Sequence, residues 1–225
     1  QCQDVQGEIF DYPEEFFKER IHNIRRPKPD DFQIKQAMEK IKKSKKPIII
    51  SGGGVFYSDA MDELGSFAIK HNIPVTQTVM GYSTMKRDHS HFLGPIGGLG
   101  GKAANNLAKE TDLAICVGTK LADFTTGSWA NFENPEFKLV SINIARHDAN
   151  KHLAEAVIGD AKVCLSELSN SLGNWKSPDS WHKKSKDELK SWNEYVDKES
   201  GPTNQETPNY ACLLYTSPSP RDLWI

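Results

Sequence analysis

The chain has 225 residues, of which 37% are hydrophobic and 26% are charged, and its formal net charge is −2. This length fits one domain with extensions, and the composition is ordinary for a soluble protein. No apolar run is long enough to span a membrane, the first residues lack the pattern of a signal peptide, and the near-neutral charge disfavours an electrostatic nucleic-acid binder.

Residues 1–31 are predicted to form a linker that leads into a domain. The segment is polar with scattered aromatic residues, and it ends in Pro27-Lys28-Pro29 just before a helix begins. A proline-rich stretch before a helix start is typical of a connection between domains. We therefore expect a further, N-terminal domain ahead of this linker.

Regular structure is predicted to begin at Asp31. Apolar residues three and four apart predict a helix that Pro47 stops, and 48–50 predict a short strand that ends in Ser51-Gly52-Gly53-Gly54. A second helix is predicted next, with Ser58 as its N-cap. The inward faces are predicted to consist of Ile34, Ala37, Met38 and Ile41 in the first helix and Ala60, Leu64, Phe67 and Ala68 in the second.

The alternation of strands and helices continues to residue 173. Further strands are predicted at 73–79, 113–117, 139–144 and 156–158, a helix at 100–109 and a long loop at 119–137. A last helix is predicted to bury Val163, Leu165, Leu168 and Leu172. Five short apolar strands between helices predict an α/β fold over residues 32–173, a doubly wound, Rossmann-like parallel sheet.

The C-terminal part divides into two segments. Residues 174–211 are charged and rich in tryptophan, which predicts a helical connector to another domain, with Trp175, Trp181, Trp192 and Tyr195 docked on a neighbouring surface. Residues 212–225, CLLYTSPSPRDLWI, resemble translated sequencing-adapter sequence and are predicted to be non-native. We therefore expect the native gene to continue past Ala211.

Two glycine-rich segments are candidate ligand loops. Gly52–Gly54 lies between a strand and a helix, where glycines admit an anion to the helix N-terminus or simply permit a tight turn. The segment 94–101 has five glycines in eight residues and opens a helix with small residues, Ala103, Ala104 and Asn105. Small residues at this point fit close packing against either a second subunit or a cofactor.

Polar residues follow two of the predicted strands. In an open parallel sheet, ligands bind outside the carboxyl ends of the strands, where Gly118-Thr119-Lys120 lies. Lys120 is suited to meet a phosphate or to pair with Asp123. Asn143 and Arg146 end the next strand, where a polar residue contacts a ribose or adenine or caps the following helix.

Metal and nucleic-acid sites are not expected. His89 and His91 form an HxH pair with no further close ligand, which disfavours a metal site. The lysines at 40, 42, 43, 45 and 46 suit the solvated end of a helix better than a nucleic-acid patch.

The four cysteines are spread along the chain. They stand at 2, 116, 164 and 212 with no CxxC spacing, and Cys116 lies within an apolar strand. Free thiols in a reducing compartment are the simplest interpretation, so we expect a cytoplasmic protein.

Six segments carry a family resemblance that covers about residues 3–211. They are QDVQ, DYPEEFF, IRRP, SGGG, the run from Gly94 to Phe132, and the run SINIARHDANKHLAEAVIGDAK. Together they resemble the central domain of thiamine diphosphate-dependent enzymes. GTKLADFTTGSWANF and DYPEEFF narrow the resemblance to the branch that hydrolyses a C–C bond of trihydroxycyclohexanedione in myo-inositol catabolism.

The resemblance implies an enzyme of three α/β domains that works as a homodimer or homotetramer on a small-molecule substrate, without nucleic-acid or membrane partners. In this family the first domain supplies a glutamate that activates thiamine diphosphate, and the third binds Mg²⁺ and the diphosphate through a Gly-Asp-Gly…Asn motif. The present sequence contains neither, so we expect it to hold no catalytic residue and to be inactive alone.

The resemblance also suggests a nucleotide cleft. In FAD-binding relatives it would be lined at positions matching Gly52, Gly53, Gly54, Gly97, Gly98, Gly118, Thr119, Lys120 and Asn143. The inositol branch is not expected to use FAD.

The sequence departs from the family at Gly81-Tyr82-Ser83, where relatives more often carry a lysine, and at Cys2, where proline is usual. Two alternatives stay open: an acetolactate-synthase-like carboligase that uses thiamine diphosphate and FAD, and a non-catalytic dinucleotide-binding module.

Overall fold

A computed structural model describes residues 6–7, 9 and 11–200. The predictions for Cys2 and for residues 212–225 lie outside this part of the chain. The strands are β1 Pro47–Ser51, β2 Val75–Gln77, β3 Phe92–Pro95, β4 Leu113–Val117, β5 Lys138–Asn143 and β6 Glu155–Ile158. The α-helices are α1 Asp31–Lys43, α2 Gly53–Tyr57, α3 Met61–His71, α4 Lys102–Glu110, α5 Asp123–Thr126, α6 Arg146–Ala149, α7 Ala161–Leu172 and α8 Asp179–Ser200.

The six strands form one parallel sheet in the order β3-β2-β1-β4-β5-β6. In the middle of the sheet, Ile49 lies between Val75 and Ile115 on the neighbouring strands. The chain moves outward from β1 to β3 and then crosses back to β4, so the strand order reverses between β1 and β4. This topology confirms the prediction of a doubly wound α/β fold.

The central strands are apolar because helices cover both of their faces. All residues of β1 and β4 are buried, and successive side chains point to opposite faces of the sheet. One face packs with Ile49, Leu64, Phe67, Ile115 and Leu165, and the other with Ile48, Ile50, Leu107, Cys116 and Trp181. Burying one large aliphatic or aromatic side chain contributes about 1.5–3 kcal/mol, so this core supplies most of the stabilising free energy.

The predicted count of five strands was wrong, because β3 adds a sixth. Its four residues, FLGP, include Gly94 and Pro95, which weaken the sequence signal of a strand. β3 is nevertheless held against β2, with Val75 paired to Phe92. Two neighbouring predictions also shift: the strand at 73–79 shortens to β2, and the loop at 119–137 contains the single turn α5.

The prediction that Ser58 caps a helix at its N-terminus was wrong. Residues Gly53–Tyr57 form a helical turn of their own, and Ser58 ends it as the C-cap. Asp59 then adopts a left-handed φ of 52°, and α3 begins only at Met61 after Ala60. In α7, Cys164 takes the buried position predicted for Val163, which is only partly buried.

Helix α8 packs along the sheet domain. Trp181 is buried and donates a hydrogen bond from Nε1 to the Pro47 carbonyl at 2.8 Å. Trp192 is half-buried against the same core, while Tyr195 is exposed. Of these three aromatic side chains, only that of Trp181 is therefore fully buried within this domain. Among the described residues, no helix is both long enough and apolar enough to cross a membrane.

Candidate functional site at the carboxyl edge of the sheet

The loops after β1 and β4 meet at the reversal of the strand order. The Gly52 amide donates to the Val117 carbonyl at 2.8 Å, and the Gly54 amide donates to the Gly118 carbonyl at 2.9 Å. A Cβ added to Gly54 would lie 2.6 Å from the Gly118 Cα. The glycines of these two loops are therefore required for close packing of one backbone against the other.

Gly118 is constrained in two ways. Its φ is +61°, a value that L-residues other than glycine rarely adopt, and a Cβ added there would lie 2.5 Å from the Gly54 Cα. Its amide donates to the Ile142 carbonyl of β5 at 2.9 Å, which ties a third strand end to the same point. Gly52–Gly54 and Gly118 thus form a backbone floor across the centre of the carboxyl edge.

The predicted polar residues border this floor. Asn143 donates from Nδ2 to the Thr119 carbonyl at 3.2 Å and accepts from the Ala145 amide at 2.9 Å, so it holds the loops after β4 and β5 together. The Lys120 side chain is exposed. Within the described chain Asp123 accepts from Ser128 at 2.9 Å, and the predicted Lys120–Asp123 pair does not form.

Positive charge surrounds the one carboxylate that follows β5. Lys151 Nζ donates to Asp148 Oδ1 at 2.7 Å. That bond, with the charges of Lys151, Lys120 and His147, holds the pKa of the Asp148 carboxyl below its ordinary value. The side chain of Lys120 therefore adds to a positive potential beside the glycine floor.

Gly97 and Gly98 extend the floor beyond β3. The Gly98 amide donates to the Phe124 carbonyl at 2.8 Å, and Gly97 has a φ of +103°. The Asn105 side chain bonds both backbone groups of Gly97, accepting from its amide at 2.9 Å and donating to its carbonyl at 3.0 Å. Ala103 and Ala104 are buried in the domain's own core, so their small size is already explained within this chain.

All nine predicted cofactor-binding residues therefore lie at one edge of the sheet. A surface groove of about 510 Å³ lies elsewhere, between α1, α7 and the linker. Its lining includes Lys28, Ile34, Met38 and Glu167. The carboxyl edge offers backbone groups and flanking cations to a ligand that would lie on top of the loops.

His91 belongs to a packed pair rather than to an HxH metal site. Its ring stacks on that of His182 in α8, with centroids 4.1 Å apart, and its Nε2 lies 3.2 Å from Asn72 Oδ1. Burial, followed by the neighbouring charges of His182, His89 and Lys186, lowers its pKa to about 4. The part of the chain that the structure describes contains no group of three or more His, Cys, Asp or Glu side chains able to hold a metal ion.

Cys116 and Cys164 are free thiols inside the core. Burial raises the pKa of both, that of Cys164 to about 12. A thiol with a raised pKa and no access to solvent is a poor nucleophile, so neither side chain is a candidate for catalysis.

Sequence reasoning missed the ion pair that holds the linker to the domain. Asp160 caps α7 by accepting from the Lys162 amide at 3.1 Å, and it pairs with Arg26 at 3.2 Å. Arg26 also donates to the Ser58 carbonyl. The Gly-Asp step before a helix signals the cap, but nothing in the local sequence indicates the partner in the linker.

The fold is a doubly wound α/β domain whose carboxyl edge carries the glycine floor. The family model of the thiamine pyrophosphate enzyme central domain matches residues 34–168, and the chain belongs to this family.

Several curated relatives carry the same name, 3D-(3,5/4)-trihydroxycyclohexane-1,2-dione hydrolase. The protein from Clostridium perfringens (strain 13) is 48% identical over 170 residues, which cover 76% of this chain and 27% of the relative. That from Clostridium botulinum (strain Eklund 17B) is 44% identical over 196 residues, or 87% of this chain and 30% of the relative. The Bacillus cereus (strain ZK) protein, numbered hydrolase 1, is 46% identical over 170 residues, or 76% and 26%. The chain thus spans between a quarter and a third of the length of these relatives.

Proposed function

We propose that this chain is the central domain of a thiamine diphosphate-dependent hydrolase that opens the ring of trihydroxycyclohexane-1,2-dione in myo-inositol degradation. The observation that carries the proposal is the identity of 44–48% over 170–196 residues to proteins that bear that name. Identity at this level extends beyond the sheet domain into its connectors, which supports equivalence of the whole proteins as well as of one domain. The relatives named above are all called hydrolases of this dione, which favours the hydrolase over the carboligase alternative.

Thiamine diphosphate does not fit the described residues. It would need a metal site for its diphosphate, and the described part of the chain has no suitable cluster of ligands. Backbone contacts between Gly54 and Gly118 also fill the space between the central loops. The proposal therefore places thiamine diphosphate and Mg²⁺ in other parts of the whole protein, and it assigns this chain no step in the reaction. The cofactor itself supplies the chemistry of C–C cleavage beside a carbonyl.

The proposed role of the central domain is to support the structure of the whole protein. A second proposed feature is that the carboxyl edge of its sheet binds a nucleotide. Gly52–Gly54, Gly97, Gly98, Gly118–Lys120 and Asn143 would form the surface on which an adenine nucleotide lies. The loops after β1 and β4, which carry Gly52–Gly54 and Gly118–Lys120, meet at the reversal of strand order, and this position supports the role. Titration of the chain with ADP and with FAD by calorimetry tests it, with Lys120→Ala expected to weaken any binding and Lys109→Ala, outside the edge, as the control.

The assembly and the compartment are also proposals. A homodimer or homotetramer of the whole protein is proposed from the family resemblance. A reducing compartment such as the cytoplasm is proposed because Cys116 and Cys164 are unpaired and buried.

The test of the proposed function is a domain graft. Residues 34–168 of this chain replace the aligned segment of the C. perfringens hydrolase, and ring opening of the dione is measured with thiamine diphosphate and Mg²⁺. We expect turnover by the graft and none by the 225-residue chain alone. A graft that folds and assembles like the parent but opens no ring would contradict equivalence of the two domains, and turnover by the chain alone would contradict its proposed supporting role.

A further inference from the structure

Three of the seven histidines lie where helix α8, with the turn 173–178 ahead of it, meets the rest of the domain. His71 is the last residue of α3, His91 directly precedes β3, and His182 lies in the first turn of α8. The first two are buried and the third is half-buried. We call these three residues the histidine seam. The other four histidines, at positions 22, 89, 147 and 152, are exposed or half-buried.

The hydrogen bonds around His91 fit its neutral form. The Asn72 amide nitrogen donates to the Ser177 carbonyl at 3.3 Å and to Asp179 Oδ1 at 3.0 Å. The amide oxygen of Asn72 therefore faces His91 Nε2, at 3.2 Å, as an acceptor, and Nε2 carries the proton. Nδ1 of the same ring accepts from Ser90 Oγ at 2.9 Å. Both nitrogens of a neutral His91 are thus satisfied, and a second proton would turn the Ser90 hydroxyl from a donor into an acceptor.

The contacts of His71 also fit a neutral ring. Its Nδ1 lies 2.8 Å from the Trp175 carbonyl, which can only accept, so Nδ1 carries the proton. Nε2 then accepts from Ser169 Oγ at 3.2 Å, and that oxygen itself accepts from Lys70 Nζ at 3.0 Å. A proton on Nε2 would therefore add a second positive charge close to the Lys70 ammonium group.

The packing of His182 disfavours a charge as well. Its ring stacks on that of His91, with centroids 4.1 Å apart, so two protonated rings would repel each other. Its Nδ1 is buried and has no hydrogen-bond partner among the described residues, whereas a protonated ring needs an acceptor for each of its two N–H groups. The docked position of α8 therefore suits neutral histidines.

The charges around the seam act in the same direction. Burial lowers the pKa of all three histidines, and together with neighbouring charges it brings that of His91 to about 4. Besides the effect of His182 on His91, the contributing groups are Lys70 from α3, His89 from the loop before β3, Lys176 from the turn ahead of α8, and Asp179 and Lys186 from α8. Of these charges, only that of Asp179 raises a pKa, that of His182.

A second attachment of α8 does not titrate in the range of the seam. Lys46 and Lys184 both pair with Glu110 at the end of α4. These bonds hold the pKa of the Glu110 carboxyl below its ordinary value of 4.5, so the ion pair stays charged above pH 5. The bond from Trp181 to the Pro47 carbonyl involves no ionisable group. A weaker attachment of α8 between pH 7.5 and 5 would thus come from the seam and not from these contacts.

From these contacts we propose that the histidine seam is an acid-sensitive switch, which holds the turn 173–178 and the first half of α8 on the sheet domain while its three rings are neutral and releases them when the rings take up protons. Release separates His182 from His91 and opens the buried rings to water, so their pKa values return toward the ordinary 6.5. The released form then binds more protons than the docked form, so docking is strongest above pH 6.5 and weakens as the pH falls toward 4. The proposal concerns the position of α8 alone and holds whatever reaction the whole protein catalyses.

Hydrogen exchange across this pH range tests the proposal. Protection factors of residues 181–192 in α8 and 34–41 in α1 are measured in the 225-residue chain from pH 7.5 to pH 5, each corrected for the intrinsic exchange rate. His91 alone, with a pKa of about 4 when docked and 6.5 when released, raises the opening constant of α8 about 30-fold over this range. We expect the protection of α8 to fall at least about tenfold while α1 stays better protected. Unchanged protection of α8 would overturn the proposal, and so would an equal loss in α1 and α8, which would show unfolding of the whole domain.

Substitutions separate the seam from general acid sensitivity. His91→Gln retains a donor for Asn72 but takes up no proton, so the opening of α8 should increase several times less between pH 7.5 and pH 5 than in the wild-type chain. His22→Gln, exposed in the linker, is the matched control and should leave the increase unchanged. An equal increase in His91→Gln and the wild type would overturn the proposal. If His91→Gln does not fold, His182→Gln is measured in its place, and the comparison of α8 with α1 in the wild-type chain is decisive without either variant.

Discussion

Gly54 and Gly118, from the loops after β1 and β4, pack backbone against backbone at the centre of the sheet edge. The Gly54 amide donates to the Gly118 carbonyl at 2.9 Å, and a Cβ on either residue would lie within 2.6 Å of the other's Cα. The contact joins the loops after β1 and β4 at the reversal of the strand order, so it contributes to the stability of this edge.

Replacement of Gly118 by alanine should destabilise the domain strongly. The substitution forces a non-glycine residue into a φ of +61° and places its Cβ against Gly54. We expect a loss of about 2–4 kcal/mol in the free energy of unfolding, from left-handed strain of about 1–2 kcal/mol together with steric overlap. Urea denaturation measures the loss.

Gly127→Ala is the control for the strain alone. Gly127 has a φ of +57°, but the atoms nearest to its Cβ would be those of the Asn131 side chain, the first at 3.3 Å. A cost of about 1 kcal/mol is expected. Equal losses for the two variants would show that the Gly54–Gly118 contact contributes nothing beyond local strain.

Stability should fall as the pH falls below about 6.5. His91 has a folded-state pKa of about 4 against an ordinary value of 6.5, and the pKa values of His71 and His182 are also lowered, all mainly by burial. Between these pH values the unfolded chain therefore binds more protons than the folded chain. The stabilising contribution of the neutral, buried histidines is complete above pH 6.5 and is lost as the pH falls toward 4. For His91 alone the loss amounts to at most about 3 kcal/mol.

The variant His91→Gln should flatten this pH dependence. Urea denaturation at pH 4.5, 5.5, 6.5 and 7.5 gives the slope for the variant and for the wild-type chain. If His91→Gln and the wild-type chain lose stability in parallel over this range, the packed pair with His182 is not its source.

Loss of the Arg26–Asp160 pair should detach the linker from the domain while the domain itself stays folded. Asp160→Asn retains a side chain that caps α7 but removes the charge partner of Arg26, with an expected cost of about 1–2 kcal/mol; Asp160→Ala removes both and should cost about 2–4 kcal/mol. Trypsin should cleave after Arg25 faster in both variants.

Lys28→Ala provides the contrast for the linker. Lys28 pairs with Glu167 at 3.8 Å between two exposed side chains, and such pairs contribute about 0–1 kcal/mol. Unchanged cleavage after Arg25 in Asp160→Asn would mean that the pair does not hold the linker in place.

Trp181→Phe should loosen α8. The variant keeps most of the buried surface but leaves the Pro47 carbonyl without the indole donor, now at 2.8 Å, so we expect a loss of about 1–2 kcal/mol. Trp192→Phe, at a half-buried site, should cost less. Tryptophan fluorescence during urea denaturation reports both, and a larger effect at Trp192 would contradict the docking of α8 described above.

The central elements of the fold could be predicted from the sequence because their signals are local. Ile48–Ile50 and Leu113–Val117 are uninterrupted apolar runs, and the spacing of Ile34, Ala37 and Ile41 marks the inward face of α1. β3 was not predicted because Gly94 and Pro95 are residues that strands seldom contain. The segment is a strand because it pairs with β2. Ser58 was misplaced because the helical turn ahead of it has no apolar periodicity.

The candidate site was predictable in position but not in detail. Because ligands of parallel sheets bind at the carboxyl ends of the strands, the sequence alone places Gly52–Gly54 and Gly118 at one edge. That these glycines fill the edge by packing on each other depends on loops from separate strands. The same holds for Arg26 and Asp160, which stand 134 residues apart, and for His91 with His182.

The hydrolase function proposed above is tested most directly by a kinetic measurement on the full-length protein, expressed from a reading frame recovered from the source DNA. Trihydroxycyclohexane-1,2-dione and pyruvate are compared as substrates in the presence of thiamine diphosphate and Mg²⁺. We expect ring opening of the dione with a kcat/KM far above that for pyruvate, and a preparation free of flavin absorbance. Carboligation of pyruvate by a flavin-containing protein, without ring opening, would contradict it.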